Sequence, residues 1–550
     1  MNRIAVLMLA ASIGLAVVRD VAAQGKPLAV KPEAVAFDSG RDPAPIIAAV
    51  DREWRRILDA AGVPASPDAD DAEFLRRACL DITGRIPSYE RTVAFLASEN
   101  PAKRYQAIDD LLASREFGQH FGRRWKLLIQ PRDTSTTKQS ADRFTPWLAD
   151  QFNANRPWTE IATELLTTEA AMSREPQATF FQANSEESSP KPSLLAAATG
   201  RLFLGVQVAC AECHNHPFAE WTQDDFWSLA AFFTRVRKRT KGDYTLTEDP
   251  PESSGNTATV ATHASIKIPD GAGKSAGREV AARFLDGSEP AIADAGPLRP
   301  ALAAWITSHD NPYFARATVN RLWAHFLGRG IVHPVDDFRA ENPPSHPELL
   351  ALLAREFAES GHDVKHLVRC ICNSQAYQRT SRPLAANEAD ATRFSHAAVK
   401  VMTPDVLYDS LVVVLSARPT GESSPPAGKK LAVKLWPFLF ESRDAFVRFF
   451  ARAPDVDRGD QFGYGVPQLL RIMNSPEFST GAPFIGRLVA AGTEPTMMIE
   501  RLYLVALSRR PTADELQRML DLVGERTSSE QAYADVLWVL LNTSEFVLNR

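Results

Sequence analysis

The stretch "SPDADDAEFLRRACLDITGRIPS" (Ser66–Ser88) shows the pattern that sets the fold class of the whole chain. Its apolar residues recur at spacings of three and four, as they do on the buried face of an amphipathic helix: Phe74, Leu75, Ala78, Cys79 and Ile82. Gly84 and Pro87 are expected to end this helix, and Ser88 to cap the next one. We therefore predict two consecutive helices here.

Similar signals recur along most of the chain. In "PSHPELLALLAREFAESGHD" (Pro344–Asp363), Ser345 and Glu348 have the spacing of a capping box at the start of an apolar helical stripe. The stretch "HDNPYFARATVNRLWAHFLGRG" (His309–Gly330) predicts a helix that ends at Gly328. These patterns indicate a mainly α protein.

One part of the chain departs from the helical pattern. Residues 238–298 contain "TEDPPESSGNTATV" and "PDGAGKSAGREV", rich in Gly, Ser, Pro and Thr, and a short alternating piece, "HASIKI" (His263–Ile268). We interpret this part as a small β-containing, loop-rich connection. It would join two helical domains, residues 41–237 and residues 299–550.

The N-terminus has the features of an export signal. A basic "MNR" precedes the apolar run Ile4–Val18, and small residues allow cleavage after Ala23. Residues 1–23 are therefore predicted to be a signal peptide, followed by a linker, residues 24–40. No later apolar run approaches the roughly 18 residues of a spanning helix, so we expect an exported protein of the periplasm or cell surface without an integral membrane span.

Composition narrows the functional class. The chain has 550 residues, of which 45% are hydrophobic and 23% charged, and its net charge of −5 argues against nucleic acid as a partner. Five cysteines are too few for a disulfide scaffold in an exported chain of this length. Cys370 and Cys372 fall on an apolar helical stretch, so we expect them to be buried free thiols.

The segment "VACAECHNHPFAEW" (Val208–Trp221) carries the chemistry that is most evident in the sequence. It contains Cys-x-x-Cys-His, the pattern that attaches a c-type haem. Cys210 and Cys213 could each add to a vinyl group of the porphyrin, and His214 could bind the iron as an axial ligand. Haem c is therefore the expected cofactor, attached outside the cytoplasm.

Other interpretations of the same segment stay open. The cysteines together with His214 and His216 are ligand types that suit zinc or another transition-metal ion, and two thiols in an oxidising compartment can also form a disulfide. If haem is bound, a second axial ligand must come from elsewhere, because His216 is too near His214 to reach the opposite face. We consider His325 the best candidate for that ligand.

Long stretches of the chain resemble a known pair of domains. "FLGVQVACAECHNHPFAEWTQDDFWSLAAFF" and "LRRACLDITGRIPSYERTVAFLAS" are similar to the planctomycete cytochrome-like domain, domain of unknown function 1549. "NPYFARATVNRLWAHFLGRGIVHPVDDF" and "RLYLVALSRRPTADELQRML" resemble its usual companion, the planctomycete domain of unknown function 1553. Together the two resemblances cover nearly all of the mature chain.

The resemblance implies an exported, mostly helical, two-domain protein, and the motif residues carried over include Cys210, Cys213, His214 and His216. The chain departs from the pattern after His325, where many relatives repeat histidine and this sequence has phenylalanine. Many members also carry a separate N-terminal cytochrome c domain, and none is expected in this chain. Only one haem attachment site is therefore expected.

Two functions follow as hypotheses. The first is a c-type haem protein for electron transfer or redox catalysis, with a redox partner protein or a small-molecule electron donor or acceptor. The second is a non-haem exported scaffold or binding protein for cell-surface carbohydrate or a protein partner. Because an exposed haem or metal would be poorly shielded, we also predict that the second domain covers the motif, with His325 or another residue of that domain within contact range.

Overall fold

The structure is a computed structural model in which Asp38–Arg550 forms one compact unit. It describes these residues: 40–130, 138–171, 174–186, 189–215, 219–239, 245–249, 265–268, 277–291, 296–417, 443–450, 466–474, 482–526 and 529–550. The predicted signal peptide and nearly all of the predicted linker lie outside them.

Helices make up most of the described chain, as predicted. Those of the first half are α1 Ala44–Ala61, α2 Asp71–Thr83, α3 Tyr89–Ala97, α4 Lys103–Ala113, α5 Arg115–Ile129, α6 Lys138–Asn153, α7 Trp158–Thr167, α8 Thr179–Ala183, α9 Pro192–Thr199 and α10 Gln223–Ala231. Short 3-10 turns cover Pro176–Ala178 and Val208–Glu212, and a π-helical turn covers Gly200–Leu204.

The second half is also helical. Its helices are α11 Leu298–Ile306, α12 Phe314–Leu327, α13 Pro347–Glu359, α14 Val364–Cys372, α15 Gln375–Gln378, α16 Pro404–Leu415, α17 Arg443–Phe450, α18 Val466–Met473, α19 Pro483–Ala490, α20 Pro495–Ala506, α21 Ala513–Gly524, α22 Ser529–Leu541 and α23 Ser544–Val547. Among the described residues, no helix is long and apolar enough to cross a membrane.

Strands are short and form antiparallel pairs. These are β1 Ser185–Glu186 with β2 Ser189–Pro190, β3 Val236–Arg239 with β4 Thr245–Glu248, β5 Ser265–Lys267 with β6 Glu279–Ala281, and β7 Lys400–Val401 with β8 Leu548–Asn549. The pairs β3–β4 and β5–β6 lie in or beside the predicted connection, so its β-containing, loop-rich character is confirmed. The domain boundaries remain predictions.

Local capping explains where the helices begin and end. The Asp70 carboxylate accepts from the Glu73 amide at the start of α2, and Gly84 ends this helix with a φ of 67°. Ser88 caps α3 by accepting from the Arg91 amide, as predicted. The helix predicted to end at Gly328 does so.

The predicted capping box at Ser345 is wrong. The N-cap of α13 is His346, and no side chain caps the helix there. The Ser345 hydroxyl and amide both donate to the Ile331 carbonyl instead, because a loop distant in sequence packs against this turn. A tertiary hydrogen bond to Ile331 therefore takes the place of the predicted helix cap.

The first and second halves of the chain share buried interior. Leu80 and Ile86, from the α2 region, belong to an apolar cluster otherwise built from residues between Met402 and Phe546. Two arginines of α2 bridge the halves in the same place. Arg76 donates to the carbonyls of Ala506 and Phe546, and Arg77 donates to those of Tyr377 and Arg550.

Asp81 of α2 is the centre of this junction. Its carboxylate is almost fully buried and accepts from the Lys400 ammonium at 2.6 Å, the Asn549 amide at 2.7 Å and the Tyr377 hydroxyl at 3.0 Å. Lys400 also donates to the carbonyls of His325 and Phe326, both at 3.0 Å. Burial lowers the pKa of Lys400 and raises that of Tyr377. Asp81 therefore ties α2, α12 and the β7–β8 pair together.

We expect Asp81→Asn to destabilise the protein by about 3–5 kcal/mol, because it leaves the Lys400 ammonium without its buried counter-charge. The measurement is urea unfolding followed by circular dichroism. The double variant with Lys400→Met should recover most of the loss, since neither charge then remains buried. Asp535→Asn, which breaks the more exposed pair with Arg526, is the control and should cost less than about 1 kcal/mol. Equal losses in the two single variants would contradict this account.

A second ionic group links α21 to α23. Arg509 donates to both carboxylate oxygens of Glu515 and both of Glu545, at 2.7–2.8 Å. The hydrogen bond from Arg509 is the main cause that lowers the pKa of Glu515 to about 2, against the opposing effect of burial. Glu515 also completes a capping box with Thr512.

The stabilisation due to Glu515 should depend on pH. A folded-state pKa below the ordinary 4.5 means that its contribution is present above that pH and is lost as the pH falls towards about 2. Because Glu515 is partly exposed, we expect Glu515→Gln to cost roughly 1 kcal/mol near neutral pH. Urea unfolding at about pH 6 and about pH 3 should show the gap between wild type and variant narrowing at the lower pH. A gap that widens there would contradict the prediction.

Candidate functional site

The Cys-x-x-Cys-His segment lies between two tightly packed elements. It follows the π-helical turn Gly200–Leu204, forms the 3-10 turn Val208–Glu212, and leads into α10. Val208 and Ala211 are fully buried and anchor the turn. A 3-10 turn with this inward face leaves its other residues directed outwards, and Cys210 is exposed.

The backbone of the segment is held by the first two turns of α10. The Gln223 side-chain amide donates to the carbonyls of Glu212 and Cys213, at 3.2 and 3.1 Å. The buried Trp227 indole also donates to the Glu212 carbonyl, at 3.0 Å. In return, the Asn215 side-chain oxygen accepts a hydrogen bond from the Gln223 backbone amide at 3.0 Å. These bonds fix the position of the turn that carries the motif.

The three haem-attachment candidates share an exposed surface. Cys210, Cys213 and His214 are all exposed, and both cysteines carry free thiols. Nδ1 of His214 lies 2.7 Å from the Asn215 carbonyl oxygen. Since a carbonyl can only accept, Nδ1 carries the proton in this hydrogen bond, and the tautomer with its proton there has its lone pair at Nε2. That is the tautomer a metal-binding histidine needs.

The metal-ion alternative depends on His216 as a ligand beside His214 and the two cysteines. His216, with Pro217 and Phe218, lies outside the described residues. Within the described parts of the chain, no three His, Cys, Asp or Glu side chains are grouped closely enough to hold a metal ion. The zinc hypothesis therefore gains no support from geometry and stays a prediction.

The second half of the chain contacts both flanks of the motif. The Gly205 carbonyl accepts from the Phe338 amide, and a Cβ at Gly205 would lie only 2.8 Å from the Phe338 ring. The Gln207 side chain donates to Asp336 at 3.0 Å. Beyond the motif, the Trp221 ring lies tilted beside that of Tyr313, with the ring centroids 6.4 Å apart. The predicted cover is nevertheless wrong for the motif itself, because Cys210, Cys213 and His214 remain exposed between these contacts.

His325 belongs to a different, buried cluster. Its Nε2 lies 2.8 Å from the Asp81 carbonyl oxygen, and its ring packs against His120, Phe121 and Phe326. Burial is the first cause that holds the pKa of His325 well below its usual value. Its hydrogen bond and ring contacts all join it to residues outside the motif, so the structure does not bring His325 together with His214.

The donor set fits covalent haem in part. Two accessible thiols three residues apart and an adjacent imidazole with a free Nε2 supply the attachment and axial groups. Apolar cover is sparse among the described neighbours, of which Trp227 is buried and Trp221 is partly exposed. With these described neighbours alone, a porphyrin attached here would keep considerable contact with water.

Family comparison agrees with the sequence motifs. The model of PSCyt2, a protein of unknown function (DUF1549), matches residues 49–238, and that of PSD1, a protein of unknown function (DUF1553), matches residues 298–523. The chain belongs to the proteins that carry a PSCyt2 domain followed by a PSD1 domain. Comparison with curated proteins and with solved structures finds no match.

The PSD1 domain contains a Cys–His–Glu cluster that sequence patterns did not reveal. Nε2 of His366 lies 2.8 Å from Glu356 and 3.6 Å from the Cys370 sulfur, and all three side chains are buried. Both partners meet the same ring nitrogen, so the histidine cannot relay a proton from thiol to carboxylate. Burial raises the pKa of the Cys370 thiol. The cluster is structural, and its i, i+4 spacing on α14 was its only sequence signal.

We expect only two of the five thiols to react in the folded, haem-free protein. Cys210 and Cys213 are exposed, whereas Cys79, Cys370 and Cys372 are buried. Burial raises the pKa of Cys79 to about 11 and also raises those of Cys370 and Cys372. Maleimide labelling with peptide mass mapping should modify Cys210 and Cys213 first, and all five only after denaturation. Early labelling of Cys370 would contradict the buried position of this thiol.

Proposed function

We propose that this protein is an exported c-type haem protein that serves electron transfer or redox catalysis, with haem c attached at Cys210 and Cys213. The observation that carries the proposal is the His214 ring, whose Nδ1 donates to the Asn215 carbonyl beside two accessible thiols. This bond orients the imidazole and leaves Nε2 for iron. Export rests on the N-terminal sequence pattern.

The chain's own residues would perform three tasks. Cys210 and Cys213 would hold the porphyrin edge through thioether bonds, and His214 would supply the axial nitrogen. Gln223 and Trp227 would keep the turn in place, because their hydrogen bonds fix the carbonyls of Glu212 and Cys213. Haem c, when bound, supplies one-electron ferric–ferrous chemistry.

The exposure of the motif bears on how such a centre would work. Cys210, Cys213 and His214 are all at the surface, so a partner could approach the porphyrin edge directly. Water stabilises the more highly charged ferric form, and solvent exposure is one of the levers that set a haem potential. The proposal therefore favours a redox partner protein, or a small electron donor or acceptor, that docks at this surface.

The test is to produce the chain with its export signal in a host that attaches haem to exported proteins. We expect intact mass under denaturing conditions to include one haem, and the reduced pyridine adduct to show a c-type spectrum. Removing either thiol should weaken the linkage, and Cys210→Ser with Cys213→Ser together should abolish it. His214→Ala removes the axial ligand, so any haem that stays covalently attached in this variant should have an altered spectrum.

Controls separate loss of attachment from loss of fold. His309→Ala alters an exposed histidine outside the motif and should leave haem content unchanged. Circular dichroism of the double cysteine variant should match wild type, because both thiols are exposed. A wild-type protein that is folded, exported and free of haem would refute the proposal.

A second candidate is a non-haem scaffold or binding protein, for cell-surface carbohydrate or a protein partner. Apolar cover around Cys210–His214 is sparse among the residues that the structure describes, which favours this candidate, since a bound porphyrin normally gains much of its affinity from burial. In that case elemental analysis would find no stoichiometric iron. Zinc would appear as metal without added covalent mass, and a Cys210–Cys213 disulfide as a loss of two hydrogens.

A further inference from the structure

Three oxidisable aromatic side chains lie in a row that starts beside the Cys-x-x-Cys-His segment. The centroid of the Trp221 ring is 6.4 Å from that of Tyr313, and the Tyr313 centroid is 6.3 Å from that of Trp305. Both separations are typical of aromatic rings in contact. Trp221 lies in the part of the chain matched by PSCyt2, whereas Tyr313 and Trp305 lie in the part matched by PSD1. The row therefore crosses from one domain to the other.

The first ring of the row is joined to the motif by a short stretch of hydrogen-bonded backbone. Trp221 is close in sequence to Gln223, whose backbone amide donates to the Asn215 side chain at 3.0 Å. The Gln223 side chain donates to the Cys213 carbonyl at 3.1 Å. Asn215 is the neighbour of His214 in sequence. An oxidant held at the motif would therefore be close to Trp221.

The last ring of the row is fixed by stacking. The Trp305 and Phe284 rings are nearly parallel, with their planes at 5° and their centroids 4.9 Å apart. Phe284 in turn stacks on Phe232 at 5.1 Å, and both phenylalanines are buried. A phenylalanine ring is far harder to oxidise than an indole or a phenol. These two rings therefore hold Trp305 in place without extending the row of oxidisable groups.

Trp305 also has a proton acceptor at its ring nitrogen. Its Nε1 donates to Oδ2 of Asp286 at 2.8 Å, which is within reach for direct proton transfer. The Ser288 amide and hydroxyl donate to the other carboxylate oxygen at 2.9 and 2.6 Å. Burial raises the pKa of Asp286, but the hydrogen bonds from Ser288 and Trp305 outweigh burial and hold the pKa below its ordinary value of 3.8. Asp286 is therefore ionised at neutral pH and able to accept a proton.

An indole that loses an electron needs such an acceptor. The radical cation that forms is much more acidic than the indole, because its positive charge weakens the N–H bond. Transfer of that proton to a hydrogen-bonded carboxylate leaves a neutral radical, which is more stable than the charged one. Asp286 thus makes Trp305 a favourable place for the oxidised state to rest. Trp305 is partly exposed, so an electron donor in solution can reach it there.

We infer that Trp221, Tyr313 and Trp305 form a relay that carries single electrons from the Trp305 surface to the Cys-x-x-Cys-His segment. A one-electron oxidant at the motif takes an electron from Trp221. Tyr313 replaces that electron and releases its phenolic proton to water. Trp305 then returns an electron to Tyr313, which recovers a proton from water, and the Nε1 proton of Trp305 moves to Asp286. A small electron donor finally reduces Trp305, and Asp286 gives the proton back.

The relay rests on the proposed redox function for its natural oxidant, but it can be tested without haem. The full mature chain is produced haem-free as Cys213→Ser, and a ruthenium polypyridyl photo-oxidant is attached to Cys210 by a maleimide linker. A light flash with a soluble electron acceptor then generates the oxidant. Transient absorption and electron paramagnetic resonance distinguish a tyrosyl radical, an indole radical cation and a neutral indolyl radical. We expect the neutral indolyl radical of Trp305, in a yield independent of protein concentration.

Variants in the same background identify the route. Tyr313→Phe interrupts the row but keeps a ring in place, so most of the Trp305 signal should be lost, as it is in Trp305→Phe. Asp286→Asn removes the proton acceptor, so the Trp305 radical should remain a cation and decay faster. The matched control is Trp538→Phe, which changes a partly exposed tryptophan of α22 outside the row and should give the wild-type signal. Circular dichroism checks that each variant is folded.

Two results would overturn the inference. One is an equal yield of the Trp305 radical in Tyr313→Phe and Trp538→Phe, and the other is a radical that never leaves Trp221. Neither result bears on haem attachment, which is measured by intact mass of the separately produced chain. A chain that never acquires haem but transfers the electron through Tyr313 would refute haem attachment and support the relay.

Discussion

The Asp81 carboxylate is buried on α2, and residues more than 200 positions away in sequence supply its hydrogen-bond partners. A buried charge is tolerated only when it is paired and its remaining lone pairs are satisfied. Lys400, Tyr377 and Asn549 meet both conditions for Asp81. These three residues can do so only when the PSD1 domain and the last strand are docked on α2. The fold of the PSCyt2 domain is therefore coupled to the rest of the chain through one carboxylate.

The same coupling explains why perturbed ionisable groups are concentrated away from the motif. Lys400, Tyr377, His325 and Cys372 all have shifted pKa values, and burial is the first cause in each case. Perturbed groups often mark active sites, but buried junctions produce them as well. Around Asp81 the hydrogen bonds are largely satisfied, which indicates a structural junction.

The sequence predicted the structure correctly where the interaction that determines it joins residues close together in the chain. The helix from Asp71 to Thr83, its stop at Gly84 and the cap at Ser88 follow from side chains within a few positions of one another. The burial of Cys370 and Cys372 follows from the apolar character of α14, in which every residue except Arg369 is buried. The Cys-x-x-Cys-His segment was also recognisable, because its five residues are contiguous.

Where the sequence-based predictions failed, contacts between residues far apart in sequence determine the structure. Ser345 has the spacing of a helix cap, but the Ile331 carbonyl takes its hydroxyl and amide. His325 is a residue type that can serve as an axial ligand, but its contacts with the Asp81 carbonyl and the His120 ring hold it in another cluster. Neither partner can be identified from spacing, since each arrives from a different helix or loop.

The flanks of the motif show how the PSD1 domain can influence a surface that it does not cover. Phe338 leaves no room for a side chain at Gly205, and Asp336 accepts from Gln207 just before the 3-10 turn begins. On the other side, Trp221 packs near Tyr313, and α10 holds the Glu212 carbonyl. The turn is therefore fixed at both ends while Cys210 and His214 stay open to solvent. If haem is attached at this turn, as we propose, a rigid frame around it would limit the rearrangement of the protein when the charge of the iron changes, and the exposure of the turn would leave the haem within reach of a partner.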